Sequence, residues 1–363
     1  MNIIIFSILV IILLLGSVYQ HCIQKIELFQ DTSNGDVPTF KDNIVNIYDD
    51  KGNKIKVALI VAPMNDDDKK VYDTYKDTII FMGMTSYLEF PNIISNPLDV
   101  YNDPNHKSWT FDYKNKLAGW FYCFKNPGDY FPMSIPKLLL SESDFADSST
   151  IQPDKKIKIK YDFIYICHKV DEHKKTCDDD WVTYNKNWKL AIDCLNIMCS
   201  KFKLKGLLVG RMGCKIPDVC RKNLDLTEKL PWKELLVKYK ESKFVFVPNI
   251  HDASPRIITE ALCHNIPIMV NKNILGGWKY VNDKTGVFFN NLEDFEYNLE
   301  KLLTNVHIYQ PRKYFIENYG SVRSGEKMLD FLKTHFGDKV TIPADCKYLT
   351  PRFKRIDYQV LTQ

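Results

Sequence analysis

Strand-like and helix-like segments alternate between residues 161 and 289, and this alternation constrains the fold more than any other feature of the chain. Short apolar runs with the pattern of strands buried on both faces occur at 161–167, 206–210, 243–248, 266–270 and 286–289. After the first run, Leu190, Cys194, Ile197 and Met198 follow at helical spacing. Because strands that alternate with helices form doubly wound parallel sheets, residues 156–309 are predicted to form one such α/β domain.

The 363 residues are enough for a second domain with its own core. A further buried-strand pattern, VALIVA, begins at Val57, and the first folded segment is predicted to start at Lys56. The predicted organisation is a membrane anchor over 1–20, a stem over 21–55, an N-terminal Rossmann-like domain over 56–155, a C-terminal domain over 156–309, closing helices over 310–340 and a tail over 341–363.

The N-terminus is strongly apolar. Residues 3–15 read IIIFSILVIILLL, and the uncharged run continues to Tyr19, close to the ~20 residues that span a bilayer as a helix. No Lys or Arg precedes the run, and no small-x-small motif follows it, so an uncleaved anchor is favoured over a signal peptide. The chain is predicted to be a single-pass membrane protein whose orientation stays open.

The formal charge is +4, and Lys alternates with Asp along the chain instead of collecting in one stretch. Nucleic-acid binding is therefore not expected. The ten cysteines contain no CxxC pair, which argues against a zinc cluster. Several lie in apolar runs and are predicted to be small buried hydrophobes in a reducing compartment, although Cys214 and Cys220 could bridge a loop.

The segment DASPRIITEALCHNIPIMV carries the strongest functional signal. It joins one buried strand through a loop and a helix to a second strand, so a helix N-terminus lies at the carboxyl end of a strand, where the helix dipole and free amides favour phosphate. Pro255 suits the first helical position. Asp252 and Glu260 lie eight residues apart, one before the helix and one inside it, where they could bracket a bound ligand.

This segment resembles the group-1 (family 4 type) retaining glycosyltransferases, whose hallmark is two acids with seven residues between them, followed by Ala-Leu and a Gly-x-Pro turn. The resemblance implies that Glu260 holds the ribose of a nucleotide and that Asp252 contacts the donor sugar. It also implies that the amides of Ser254, Arg256 and Ile257 hold the diphosphate.

The resemblance extends over residues 160–305. It implies that His168 or Lys169 supplies a basic side chain after the first strand of the domain, and that Lys186 neutralises the leaving phosphate. Gly210 and Arg211 are expected at the rim of the nucleotide site. The family has Glu where this chain has Asp252, the residue expected to contact the sugar. The family also has a Gly-rich loop where this chain has VAPMNDDD, so acceptor binding stays unassigned.

Three other motifs have competing interpretations. Asp66–Asp68 and Asp178–Asp180 contain the Asp-x-Asp spacing that can hold a divalent metal, but both are interpreted as solvated loops. The Gly276-Gly277-Trp278 motif is either a mobile loop near the donor or a plain turn.

The sequence therefore predicts a GT-B-like α/β protein, with two Rossmann-like domains facing a cleft. The predicted activity is the retaining, metal-independent transfer of a sugar from a nucleotide diphosphate sugar. The nucleotide sugar is a substrate and no separate cofactor is expected. The acceptor is a glycan, lipid or protein. Asp252 and Lys186 are the predicted catalytic residues. The alternatives are a non-catalytic sugar- or nucleotide-binding surface protein and a dinucleotide oxidoreductase, which lacks support because no G-x-G-x-x-G follows any predicted strand.

Overall fold

A computed structural model describes residues 37–92, 110–154, 156–167, 177 and 181–353. These residues form two six-stranded sheets. The N-terminal sheet contains β1 (Ile44–Asp49), β2 (Lys54–Ile60), β3 (Ile80–Met84), β4 (Trp120–Tyr122), β5 (Lys137–Leu139) and β12 (Leu349–Pro351). The C-terminal sheet contains β6 (Tyr161–Ile166), β7 (Gly206–Val209), β8 (Leu224–Thr227), β9 (Ser242–Val247), β10 (Ile268–Asn271) and β11 (Gly286–Phe289).

Helices cover these sheets and connect their strands. In the described part of the N-terminal half they are α1 (Asp66–Tyr75) and α2 (Tyr113–Lys116). In the C-terminal half they are α3 (Trp181–Asn185), α4 (Trp188–Ser200), α5 (Trp232–Lys240), α6 (Arg256–Cys263), α7 (Leu292–Asn305), α8 (Pro311–Asn318) and α9 (Gly320–Phe336). The five strands predicted between residues 161 and 289 are confirmed to within two residues as β6, β7, β9, β10 and β11, whereas β8 was not predicted.

The N-terminal sheet has the order β12-β1-β2-β3-β4-β5. Its strands from β2 to β5 pair in parallel, whereas β1 pairs antiparallel with both β2 and β12. The last strand of the described chain thus completes the first sheet. Helix α9 also returns to this half, because its buried Met328, Leu329 and Leu332 join the apolar cluster on one face of the N-terminal sheet.

The C-terminal sheet is parallel throughout, in the order β11-β10-β9-β6-β7-β8. Both of its faces are covered, because one apolar cluster includes α4 and α7 and a second includes α6. Ile258, Ala261 and Leu262 of α6 are fully buried. Burial on both faces explains why these strands read as continuous apolar runs in the sequence.

Two predicted boundaries are wrong. Strand β1 lies inside the predicted stem, where Ile44 and Ile47 are buried in the sheet, and β12 lies inside the predicted tail. Strand β1 forms an antiparallel pair with β2, which follows it directly, and β12 pairs with β1 from the far end of the described chain. No helix within the described ranges is long and apolar enough to cross a membrane, and the predicted anchor lies outside those ranges.

Asp66–Asp68 do not form a solvated loop; they open α1. Asn65 caps this helix by accepting hydrogen bonds from the Asp67 and Asp68 amides, each at 2.9 Å. Asp68 is buried and accepts from Asn43 Nδ2 at 2.9 Å. Acidic side chains in the first turn favour the positive end of the helix dipole, which accounts for the triplet. The second triplet, Asp178–Asp180, lies outside the described residues.

Candidate active site

The site begins with the order of the C-terminal sheet. Strands β6 and β9 are neighbours, but the chain leaves β6 toward β7 and leaves β9 toward β10, which lie on opposite sides of the pair. This divergence is the topological switch point at which open α/β sheets bind ligands, outside the carboxyl ends of the strands. The connection after β6 leads to Lys186, and the connection after β9 leads to Asp252.

Lys186 and Asp252 meet at this point. The Lys186 ammonium donates a hydrogen bond to Asp252 Oδ2, and Asn249 Nδ2 donates to the same oxygen at 2.9 Å. The two charged side chains are 19% and 15% exposed, so they remain within reach of a ligand. The structure therefore brings together the two residues predicted to be catalytic, across 66 positions of sequence.

Asn249 is a site residue that the sequence analysis missed. It is fully buried, and its Oδ1 has no hydrogen-bond partner within the described part of the chain. Its position directly after the apolar run of β9, three residues before Asp252, was the available signal. Because Asn249 donates to Asp252, it fixes the direction in which that carboxylate points.

Helix α6 starts next to this ion pair. Pro255 precedes its first residue, and no side chain caps this end. Arg256 is exposed and Ile257 half-buried. Ser254 contacts the N-terminal half instead: its Oγ accepts a hydrogen bond from Ser143 N at 2.8 Å and lies 3.0 Å from Ser143 Oγ.

Glu260 lies on the face of α6 that meets α5. Its Oε1 accepts from Trp232 Nε1 at 3.0 Å, and its Oε2 accepts from the Tyr239 hydroxyl at 3.1 Å. Glu260 is buried, and burial of Tyr239 beside this carboxylate raises the pKa of the phenol well above its ordinary value. The carboxylate is thus oriented by two side chains that the sequence analysis did not select.

Arg211 does not lie at the rim, and this prediction is wrong. The side chain is fully buried, and its guanidinium donates to the Cys167 and Cys177 carbonyls and to Thr183 Oγ1. It also stacks on the Trp188 ring, 4.7 Å from the ring centre. Arg211 therefore ties the end of β6 to α3 and α4, because its planar group matches several acceptors at once. His168 and Lys169 lie outside the described residues.

The Gly276-Gly277 segment packs along the loop that carries Asp252. Gly276 N donates to Asp252 O at 2.9 Å, and Leu275 N donates to Ile250 O at 2.7 Å. A Cβ on Gly276 would lie 1.8 Å from Ala253 O, so only glycine permits this approach. Gly277 has a φ of +82°, which also favours glycine. The two backbone hydrogen bonds of this segment hold the loop that carries Asp252 in place.

The cysteine prediction is partly wrong. Five described cysteines are buried free thiols, as expected for those in apolar runs. Cys214 and Cys220 do not pair with each other, because Cys177 pairs with Cys214 and Cys199 pairs with Cys220. Disulfides persist mainly in oxidising compartments, which argues against the expected reducing environment. The spacing gave no signal, because both pairs join distant segments. Among the described residues, no group of three or more His, Cys, Asp or Glu side chains is placed to hold a metal ion.

Several solved glycosyltransferases have a similar fold. Sucrose-phosphate synthase from Thermosynechococcus elongatus has a TM-score of 0.54 at 8% identity, over 74% of this chain and 71% of that one. TarM has a TM-score of 0.53 at 15% identity, over 76% and 54%. The lipopolysaccharide outer core galactosyltransferase WaaB has a TM-score of 0.50 at 11% identity, over 77% and 75%. No protein-family model and no curated protein matches the sequence. The similarity shows the GT-B fold.

Proposed function

We propose that this protein is a glycosyltransferase that moves a sugar from a nucleotide diphosphate sugar to an acceptor, with retention at the anomeric carbon and without a metal ion. The observation that carries the proposal is the Lys186–Asp252 ion pair at the switch point between β6 and β9, beside the uncapped start of α6. A cation and a helix N-terminus at one place favour a diphosphate.

In this proposal, three groups of the protein bind the donor: the amides at the start of α6, Glu260 and Asp252. The diphosphate lies at the start of α6, where the amides of Ser254, Arg256 and Ile257 point toward it. Glu260, oriented by Trp232 and Tyr239, accepts from the ribose hydroxyls. Asp252 accepts from the sugar hydroxyls. Structures with a similar fold support a nucleotide ligand, since a TarM variant and the pneumococcal O-GlcNAc transferase GtfA have each been solved in complex with UDP.

Lys186 is the principal electrostatic catalyst in this mechanism. As the bond between the anomeric carbon and the phosphate oxygen breaks, negative charge grows on the diphosphate, and the ammonium moves from Asp252 to meet it. The acceptor hydroxyl bonds to the anomeric carbon, and its proton leaves with the diphosphate. Cations and helix-start amides in a partly buried site stabilise such developing charge strongly. Closure of the two domains excludes water from the cleft.

The acceptor is a glycan, lipid or protein, and residues 3–19 anchor the enzyme at a membrane. The support for the anchor is the length of the uncharged N-terminal run. The full chain should remain in the membrane pellet after carbonate extraction. Recovery of the intact chain in the soluble fraction would contradict the anchor.

Turnover of nucleotide sugars by the detergent-purified full chain tests the function. A panel of UDP-, GDP- and ADP-sugars should contain one that is hydrolysed or transferred, with no loss of rate in EDTA. The Lys186→Met variant should lower kcat/KM by about 100-fold or more, while Lys222→Met, which removes an exposed lysine of the same domain, should not. Binding of a nucleotide without turnover would favour the non-catalytic alternative, and no binding would contradict the proposal.

A further inference from the structure

A large cavity lies on the outer side of α4, away from α6. Its volume is about 850 Å³, within the range of sites that enclose small organic ligands. One wall is the face of α4 that carries Ile192, Asp193 and Asn196, and the opposite wall contains Lys215 and Ile216. The proposed donor site does not use these five residues.

The second wall is held at both ends by disulfides. Lys215 and Ile216 lie between Cys214 and Cys220, which pair with Cys177 and Cys199. Cys199 is in the last turn of α4, so one bridge ties this wall directly to the helix it faces. A wall fixed in this way loses little conformational entropy when a ligand binds, which favours binding.

The cavity lies beside the candidate active site. Ile250 lines it and lies two residues before Asp252, and Asn187 lines it and directly follows Lys186. Tyr184 forms part of the lining at the same end, where its ring stacks on His251 with the ring centres 5.0 Å apart. One end of the cavity is therefore lined by residues that lie one or two positions along the chain from Lys186 and Asp252.

The lining combines an aromatic ring, apolar side chains and polar groups. The Tyr184 ring and Ile192 and Ile216 offer apolar surface, while Asp193 and Asn196 offer hydrogen bonds. This mixture matches a sugar ring, which has an apolar C–H face and hydroxyls at its edge. An acyl or prenyl chain fits less well, because it would bury the carboxylate and amide without hydrogen-bond partners.

We propose that this cavity binds the glycan part of the acceptor, which makes the C-terminal domain contribute to acceptor recognition. That the bound glycan is the acceptor rests on the proposed function, whereas glycan binding itself is testable without turnover. The acceptor hydroxyl enters the cleft beside Lys186 and Asp252, and the preceding sugar units lie along α4 between Tyr184 and Ile216.

Binding of the detergent-purified full chain to an array of immobilised oligosaccharides tests the proposal. The wild-type protein should retain at least one oligosaccharide of two or more units. Ile216→Asp, which places a charge on the apolar wall, and Asn196→Trp, which fills the space beside α4, should each weaken that binding tenfold or more. The matched control is Val219→Asp, because Val219 is 42% exposed in the same bridged segment and is not among the described lining residues.

Two further measurements separate the possible outcomes. UDP affinity by calorimetry should be unchanged in both cavity variants, and hydrogen exchange at residues 215–217 of the wild type should slow when the retained oligosaccharide is added. No retained oligosaccharide, equal retention by the cavity variants, or binding of a fluorescent prenyl phosphate in place of glycan would overturn the cavity proposal. Failure of the wild type to bind any nucleotide would instead contradict the proposed function.

Discussion

Burial changes the pKa of His264, the residue that directly follows α6. Its Nδ1 lies 2.9 Å from Gln152 O, while its Nε2 is buried without a partner among the described residues. Burial therefore lowers the pKa of the imidazole from 6.5 to about 4. Between these two values the unfolded chain binds more protons than the folded protein, so acidification through this window reduces the free energy of unfolding.

The His264→Asn variant should remove this pH dependence, because the Asn amide can still donate to Gln152 O and does not titrate. As the pH falls from 6.5 to 4, the wild type should lose up to about 3 kcal/mol more stability than the variant. Denaturant unfolding at several pH values measures the difference. Parallel curves for the two proteins would show that the folded imidazole titrates normally.

At the scale of elements, α6 and its preceding loop depend on the glycine segment behind them. Gly276→Ala would drive a methyl group into Ala253 O and displace the loop that carries Asp252. We expect this variant to unfold at a markedly lower temperature and to lose nucleotide binding. Differential scanning calorimetry and UDP titration measure the two effects.

Gly213→Ala is the matched control for this substitution. Unlike Gly276, Gly213 has a positive φ, +76°, and no atom lies within 4 Å of the position that a Cβ would take there. It should lose only the ~1–2 kcal/mol of a left-handed alanine and should keep wild-type UDP affinity. Equal effects of the two substitutions would show that the contact with Ala253 is unimportant.

At the scale of the whole molecule, a buried ion pair joins the two halves. Lys279 Nζ lies 2.5 Å from Asp144 Oδ2, and the side chains are only 5% and 1% exposed. Lys279 precedes Tyr280, which also donates to Asp144, and Ser143 of the same turn contacts Ser254. The start of α6 is thus positioned partly by the N-terminal half of the chain.

Removing one charge of this pair should be costly. Lys279→Met leaves Asp144 buried without its cation and should reduce stability by about 3–5 kcal/mol. Because the double variant Lys279→Met/Asp144→Asn contains no unpaired charge, it should lose at least about 1 kcal/mol less than the sum of the single variants. Lys284→Met, which removes an exposed lysine nearby, is the control. Additive losses in denaturant unfolding would contradict a coupled pair.

The sequence predicted what depends on local pattern. The strands of the C-terminal sheet were readable because burial on both faces makes each of them a continuous apolar run. The pairing of β1 with β12 was not readable, since its partners come from opposite ends of the chain. The position of Arg211 was predicted from the end of β7, but its side chain turns inward to carbonyl acceptors that no sequence motif marks. The orientation of Glu260 by Trp232 and Tyr239 was hidden for the same reason.

The most direct test of the donor site is calorimetric titration of UDP into three folded proteins: the wild type, Glu260→Gln and Asp252→Asn. If Glu260 holds the ribose, Glu260→Gln removes a charge-assisted hydrogen bond of roughly 1.5–3 kcal/mol and should weaken UDP tenfold or more. Asp252→Asn should keep at least wild-type affinity for UDP, because its proposed partner is the sugar and because it releases Lys186 for the phosphate. Wild-type UDP affinity in both variants, with folding intact, would contradict the account.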